Sequence, residues 1–281
     1  MTRHVVHHTL ELIRFSHTLF ALPFALAAVW IAAKGWPGTR LFLLILLAMI
    51  TARTTAMAFN RLVDRRFDAL NPRTQNRPSV DGRLSPRYMA GLALLGALAF
   101  LLCCAMINPL AIGLAPIALC IICGYSLMKR YTSFSHLVLG AALGLAPIGA
   151  QVAVAGTITL PFLLLGCGVT CWVAGFDILY ALADVDFDRA HGLHSIPARL
   201  GVVRALVVAR GLHVCTIGAF AGFGLLVHLQ AAYFLGCAVI GAALVVEHLL
   251  IRPTDLSRLN AAFFTVNGWI SIVFLLGSVL A

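Results

Sequence analysis

The sequence predicts an all-α integral membrane protein: nine transmembrane helices around a central cavity, with the N-terminus cytoplasmic and the C-terminus outside. Three observations carry that prediction. Of the 281 residues, 61% are hydrophobic and 11% charged, against about 45–50% and about 25% in soluble globular chains, and the mean hydropathy is +0.98. The apolar residues come in runs of roughly 20, the length a helix needs to cross a bilayer, and not in the period-two alternation of a membrane barrel. Lys and Arg collect on alternate connections between those runs. The same composition excludes a disordered chain, a collagen-like fibre and a disulfide-stapled secreted module.

The runs lie near 15–33, 41–59, 88–107, 109–128, 137–156, 160–180, 203–227, 231–251 and 261–280. The first has a charged start but no signal-peptide cleavage site, so it reads as a retained helix. Only the turn at Asn108-Pro109 separates the third run from the fourth, and only Gly156-Thr157 the fifth from the sixth, both ordinary turn punctuation. Charge then sets the orientation. The connections after the third, fifth and seventh runs and the C-terminal tail contain no Lys or Arg. The segment 60–87 carries Arg61, Arg65, Arg66, Arg73, Arg77, Arg83 and Arg87. Lys129 and Arg130 follow the fourth run, Arg189 and Arg199 the sixth, and Arg252 and Arg258 the eighth. The positive-inside rule puts these connections and the N-terminus in the cytoplasm; only Lys34 and Arg40 break the pattern. No soluble domain or linker interrupts the chain, so residues 1–281 read as one multi-pass domain of the cell inner (cytoplasmic) membrane.

The acids make this asymmetry functional. All ten Asp and Glu residues fall at or near the cytoplasmic ends of the runs. Attraction to anionic lipid explains a surplus of Arg at that surface, but not Asp64, Asp68, Asp177, Asp184, Asp186 and Asp188 among them. The net charge of +10 therefore reads partly as positive-inside bias and partly as a site for an anion. Nucleic acid is not an expected partner, since no separate basic domain exists to hold it.

After the second run, Asn60, Asp64 and Asp68 are spaced four apart, so on a helix they share one face, and Arg53 seven residues earlier joins the stripe. Carboxylates at i and i+4 repel one another in isolation and make sense with a divalent cation between them. After the sixth run, Asp177, Asp184 and Asp188 follow steps of seven and four on one helix face, with Asp186 pointing elsewhere as a solvated residue. Oxygen donors without Cys or paired His suit Mg²⁺, which shares its octahedron with water and phosphate oxygens. The plainer alternative makes these acids charge partners of neighbouring Arg on a wet loop. Two matching stripes, with Arg53 and Asp177 inside spans where ionisable groups are costly and line cavities, argue against it. Lys129-Arg130 is by itself an ordinary cytoplasmic anchor, and beside two acidic motifs becomes a clamp for phosphate oxygens.

These residues resemble the UbiA superfamily of intramembrane prenyltransferases. The N-x-x-x-D-x-x-x-D of Asn60 to Asp68, followed by R-T-x-N-R-P from Arg73 to Pro78, is similar to its first motif, and Asp177-x-x-Tyr180-Ala-x-x-Asp184-x-x-x-Asp188 to its second. Tyr125-x-x-x-Lys129-Arg130-x-Thr resembles a third patch of the 4-hydroxybenzoate polyprenyltransferase branch. The family often has Asn-Asp where this chain has Asn60-Arg61. The start from Ile13-Arg14 to Pro23, with His17, looks more like the branch that serves the futalosine route to menaquinone.

The resemblance implies Mg²⁺-dependent transfer of a polyprenyl group from polyprenyl diphosphate to a ring carbon of a hydroxyaryl carboxylic acid, either 4-hydroxybenzoate or 1,4-dihydroxy-6-naphthoate, in ubiquinone or menaquinone biosynthesis. Asn60, Asp64, Asp68, Asp184 and Asp188 would hold the metal. Asn60, Arg73, Arg77, Lys129 and Arg130 would bind the diphosphate and neutralise it as it leaves. Asp177 is the candidate for holding the acceptor hydroxyl or steering the ring proton, and Arg14, Arg53, Tyr125 and Tyr180 are candidates for binding the acceptor. A membrane fold suits the reaction, because the prenyl tail is as apolar as lipid and a dry cavity keeps water from the carbocation.

The rival from another class is a secondary transporter of an organic anion. It fits the span count, but transporters hold their charged groups near the midplane, whereas these acids lie at one face. The eight Cys read as small apolar packers with no disulfide or zinc expected, and His7, His8, His191 and His194 as solvated loop polarity. Gly91, Gly96, Gly140 and Gly144 read as points of close helix contact.

Overall fold

The computed structural model of the chain describes residues 8–9, 11–12, 18–251, 256, 258–259 and 265–281, and among these residues it is helical, with no strand. The helices are α1 Thr18–Ala33, α2 Thr39–Val63, α3 Arg65–Leu70, α4 Pro86–Ile107, α5 Pro109–Met128, α6 Ser135–Ala155 and α7 Leu160–Ala181. A 3₁₀ turn at Leu182–Asp184 follows, then α8 Val185–Ala190, α9 Ile196–Leu200, α10 Val202–Leu226, α11 Ala231–Leu250 and α12 Asn267–Val279. Among the described residues, seven stretches (α2, α4, α5, α6, Leu160–Ala190, α10 and α11) are long and apolar enough to cross a membrane. Of the first and last predicted spans, the described residues include the apolar helices Phe20–Ala33 and Asn267–Val279.

The chain divides into two compact units, the first comprising residues up to Thr18 with Gly38–Leu127, the second Leu19–Pro37 with Met128–Ala281. In the first, α2 packs along α4. Gly96 permits this approach, since a Cβ there would stand 2.6 Å from Thr55 Oγ1 and 3.2 Å from the Thr51 carbonyl. Gly91 does not share that role: a Cβ there meets open space, because it lies five residues earlier and faces away from α2. Ser85 caps α4, accepting from the Tyr88 N–H at 3.2 Å with Pro86 in the first turn. Leu12, Leu84 and Met89 form a small core beside the loop 71–85.

In the second unit α7 is the central helix and packs against both α6 and α10. Gly140 and Gly144 of α6 lie directly on the backbone of Thr170 and Gly166. This is the small-residue contact by which helices associate where lipid offers no hydrophobic drive. On the side facing α10, Gly168 meets Phe220 and Gly175 meets the His213 ring. Phe24, Trp172, Phe220 and Phe274 form an aromatic core with centroids 4.6–5.6 Å apart. A polar chain runs through it: Trp172 Nε1–H donates to Asn267 Oδ1 at 2.7 Å, and Asn267 Nδ2 to Glu247 Oε1 at 2.6 Å. His213 Nδ1 lies 3.8 Å from Glu247 Oε2. All eight cysteines are free thiols within helices.

Candidate functional site

The first acidic motif straddles a break. Helix α2 ends at Val63 and α3 starts at Arg65, with Asp64 between them at φ −88°, ψ 0°. The i to i−4 hydrogen bonds nevertheless continue through it, from the Asp64 N–H to the Asn60 carbonyl (2.9 Å) and from the Asp68 N–H to the Asp64 carbonyl (2.8 Å). The predicted face therefore survives, and Asn60 Nδ2 donates to Asp64 Oδ2 at 2.7 Å. Asp68 is buried and held from two sides, by Arg77 Nη1 on Oδ1 at 2.7 Å and by Arg61 Nη1 at 3.6 Å from Oδ2. Thr74 Oγ1 donates to the Asp68 carbonyl at 2.8 Å, and Arg65 Nε to that of Ser79 at 2.8 Å, folding the loop back on α3. Arg83 pins the outer turn, bonding Asp81 (2.7 Å), Glu11 (2.8 Å) and the Asn76 carbonyl (2.7 Å). Slight burial pushes the Asp81 carboxyl up, but bonds from the Arg83 N–H and guanidinium outweigh it and leave its pKa below the usual value.

The second motif is not the single helix that steps of seven and four predict. Helix α7 stops at Ala181, a 3₁₀ turn covers Leu182–Asp184, and α8 restarts at Val185. Tighter 3₁₀ winding at a helix end is common, and here it redirects the chain without exposing the acids. Asp184 and Asp188 are buried while Asp186 is exposed. Lys129 Nζ lies 3.9 Å from Asp188 Oδ2, and the Lys129 carbonyl accepts from the His194 N–H at 2.6 Å. Asp177, half-buried near the end of α7, accepts on Oδ2 from His136 Nδ1 at 2.6 Å.

Among the other predicted residues, Arg53, Tyr125, Arg130 and Tyr180 are half-buried and Arg73 is exposed. Arg14 and His17 lie outside the described residues. Arg77 turns inward to Asp68, so in this state it supports the carboxylate. Two residues beside the motifs escape sequence reasoning. Arg61 read as a departure and a surface cation, yet it is buried beside Asp68; its spacing of seven from Asp68, two helical turns, was the available signal. His136 drew no attention, although it steps by four to Gly140 and Gly144 on the face that meets α7.

No three His, Cys, Asp or Glu among the described residues converge into a ready-made metal cage. Mg²⁺ does not need one, since it takes one or two carboxylates and fills its octahedron with water and phosphate oxygens. Asp68 Oδ2 and Asp188 Oδ2 fit that use: both are buried oxygens with no hydrogen-bond partner, a state that native carboxylates otherwise avoid. Within the second unit a cavity of about 500 Å³ opens on Asp188, lined also by Tyr131, Thr132, Arg189, His194 and Arg199.

The family model of the UbiA prenyltransferase family matches residues 21–270. The chain belongs to the UbiA prenyltransferase family. It is 32% identical over 254 residues to a 4-hydroxybenzoate octaprenyltransferase of Alkalilimnicola ehrlichii, covering 90% of this chain and 85% of that one. The apo structure of a UbiA homologue from Aeropyrum pernix K1 superposes with a TM-score of 0.84 at 32% identity, over 94% of this chain and 97% of that one. A UbiA homologue from Archaeoglobus fulgidus, solved with DMAPP and Mg²⁺, has a TM-score of 0.77 at 22% identity over 96% and 97% of the chains, and shares the fold. This UbiA family member is thus an enzyme, a multi-pass membrane prenyltransferase, and the transporter reading gives way.

Proposed function

We propose that the protein transfers a polyprenyl group from polyprenyl diphosphate to a ring carbon of 4-hydroxybenzoate or 1,4-dihydroxy-6-naphthoate, in ubiquinone or menaquinone biosynthesis. The observation that carries this reading is the pair of buried carboxylate oxygens, Asp68 Oδ2 and Asp188 Oδ2, each without a hydrogen-bond partner and each on an acidic motif flanked by cations. Such oxygens are costly unless a cation takes them up. The 4-hydroxybenzoate octaprenyltransferase relative supports the choice of acceptor class. We further infer nine spans, a cytoplasmic N-terminus and an inner-membrane location, on the grounds of the charge alternation in the sequence, and one catalytic domain over residues 1–281.

Mg²⁺ held by Asn60, Asp64 and Asp68 and by Asp184 and Asp188 would neutralise charge on the diphosphate oxygens. Arg73, Lys129 and Arg130 bind those oxygens directly, while Arg61 and Arg77 keep Asp68 in position. The C1–O bond of the allylic diphosphate breaks and its electron pair leaves with diphosphate. The ring carbon ortho to the acceptor's hydroxyl forms the new C–C bond to C1, and loss of its proton restores aromaticity. Asp177 holds the acceptor hydroxyl, and Arg53, Tyr125 and Tyr180 shape the acceptor site, with Arg14 for its carboxylate. Preorganised charge of this kind contributes most where charge develops.

The test is a membrane assay with octaprenyl diphosphate, offering each acceptor separately, with and without Mg²⁺. Mg²⁺-dependent prenylation of one acceptor is the expected result and also names the quinone. Silence with both in folded protein that still binds the diphosphate would reject these acceptors.

A further inference from the structure

The geometry points to His136 as a positioning residue: its imidazole, locked in one tautomer, holds the Asp177 carboxylate in the orientation that engages the acceptor. This inference rests on the role proposed above for Asp177. The tautomer follows from the donors around the ring. The backbone N–H of Ile196, which can only donate, points at His136 Nε2 at 3.3 Å. Nε2 must therefore offer its lone pair, so the ring proton sits on Nδ1. Nδ1–H then donates to Asp177 Oδ2 at 2.6 Å, in the range of a strong bond to a charged acceptor. A doubly protonated ring would set an N–H against the Ile196 N–H and is incompatible with this contact.

Packing makes the arrangement rigid. His136 is fully buried and lies on the same face of α6 as Gly140 and Gly144. These two glycines sit on the backbone of Thr170 and Gly166, so the antiparallel helices α6 and α7 run at very close range. One turn further along the same interface, His136 faces Asp177. Ile196 adds the third support, because it opens α9, just after the second acidic motif, and Ser195 caps that helix by accepting from the Ala198 N–H. One imidazole thus ties α6, the catalytic end of α7 and the segment that follows Asp188. Groups that orient a functional side chain typically matter by about 10–100-fold when removed.

The substituents discriminate. Asparagine carries its amide nitrogen where His Nδ1 lies and can still donate to Asp177. Glutamine reaches the Nε2 position, where it can accept from Ile196 but leaves Asp177 without this donor. Prenyl transfer would be measured in membranes with geranyl diphosphate and with 4-hydroxybenzoate and 1,4-dihydroxy-6-naphthoate in turn, for His136→Asn, His136→Gln, Asp177→Ala and the two double variants. We expect His136→Gln to lose about 10–100-fold in kcat/KM for the acceptor, with the KM for geranyl diphosphate unmoved, and His136→Asn to recover all but about threefold. In the Asp177→Ala background both His136 substitutions should add nothing, the mark of a residue that acts through its partner. Recovery by Gln and not by Asn would overturn the assignment while leaving Asp177 in its role, because His136 would then serve only the Ile196 N–H. Full activity of Asp177→Ala would instead remove the role of Asp177, and the inference with it. Should His136→Gln fail to fold, His136→Asn decides alone. A loss of about tenfold or more there, in protein that geranyl diphosphate still protects against heat, overturns the proposal.

Discussion

Replacing Asn267 by leucine conserves volume in the middle of the second unit and removes its bonds to Trp172 and Glu247 at once. Trp172, Asn267 and Glu247 are each fully buried. Indole nitrogen can only donate, so the Asn267 carbonyl must face Trp172 and its amide must face Glu247, as the 2.7 and 2.6 Å contacts show. In Asn267→Leu the indole N–H loses its acceptor and Glu247 Oε1 its donor. A buried group left unsatisfied costs about 1–3 kcal/mol, so the variant is expected to lose about 2–6 kcal/mol of stability. For a chain above 150 residues this corresponds to a drop of at least about 4 °C in Tm, read by size-exclusion after heating in detergent. The contrasting variant is Glu247→Gln. Its amide oxygen keeps the bond from Asn267, and the atom it changes, Oε2, has no hydrogen-bond partner, so its Tm should fall by no more than a degree or two. An unchanged Tm in Asn267→Leu would refute the claim that this polar chain fastens α7, α11 and α12 together.

Four further outcomes follow from the site and its packing. Asp184→Ala and Asp188→Ala should each lower prenyl transfer by about 100-fold or more with little change in Tm, and wild-type rates in either would count against the metal-bearing role. Asp68→Ala should also destabilise the fold, by about 3 kcal/mol, since it takes the carboxylate away from Arg77 and Arg61; an equal Tm would show those contacts to be idle. Gly140→Val should drive a side chain into the Thr170 backbone and reduce the yield of folded protein, measured by size-exclusion in detergent, whereas Gly91→Val, facing open space, should not. Chelation with EDTA should stop turnover and lower Tm, because a cation that takes up the buried Asp68 and Asp188 oxygens binds only the folded chain; turnover that survives EDTA would count against the metal-bearing role.

Much of this molecule was legible in its sequence because a membrane helix is a local object. Twenty apolar residues satisfy their own backbone within one segment, so the middle seven spans, the turn at Asn108-Pro109 and the GxxxG contact could be read without knowing what packs where. Asn60, Asp64 and Asp68 were legible for the same reason, since a four-residue step is a property of one helix. Asp186 could be set aside from its neighbours by the same periodicity. The breaks at Asp64 and at Leu182–Asp184 were not visible, because leaving an α-helix for a single turn depends on what the neighbouring segments press against it.

The pairings that give the site its character come from tertiary structure alone. His136 and Asp177 are 41 residues apart, and Trp172 and Asn267 are 95 apart. Nothing in the periodicity of either segment signals its partner, because these bonds exist only once two helices approach on a particular face at a particular depth. The sequence determined where charge could enter the membrane and on which helices it would lie. Which carboxylate is braced by which donor, and which buried oxygen is left without a hydrogen bond, was decided by the packing of small residues that lets the helices come within hydrogen-bonding reach.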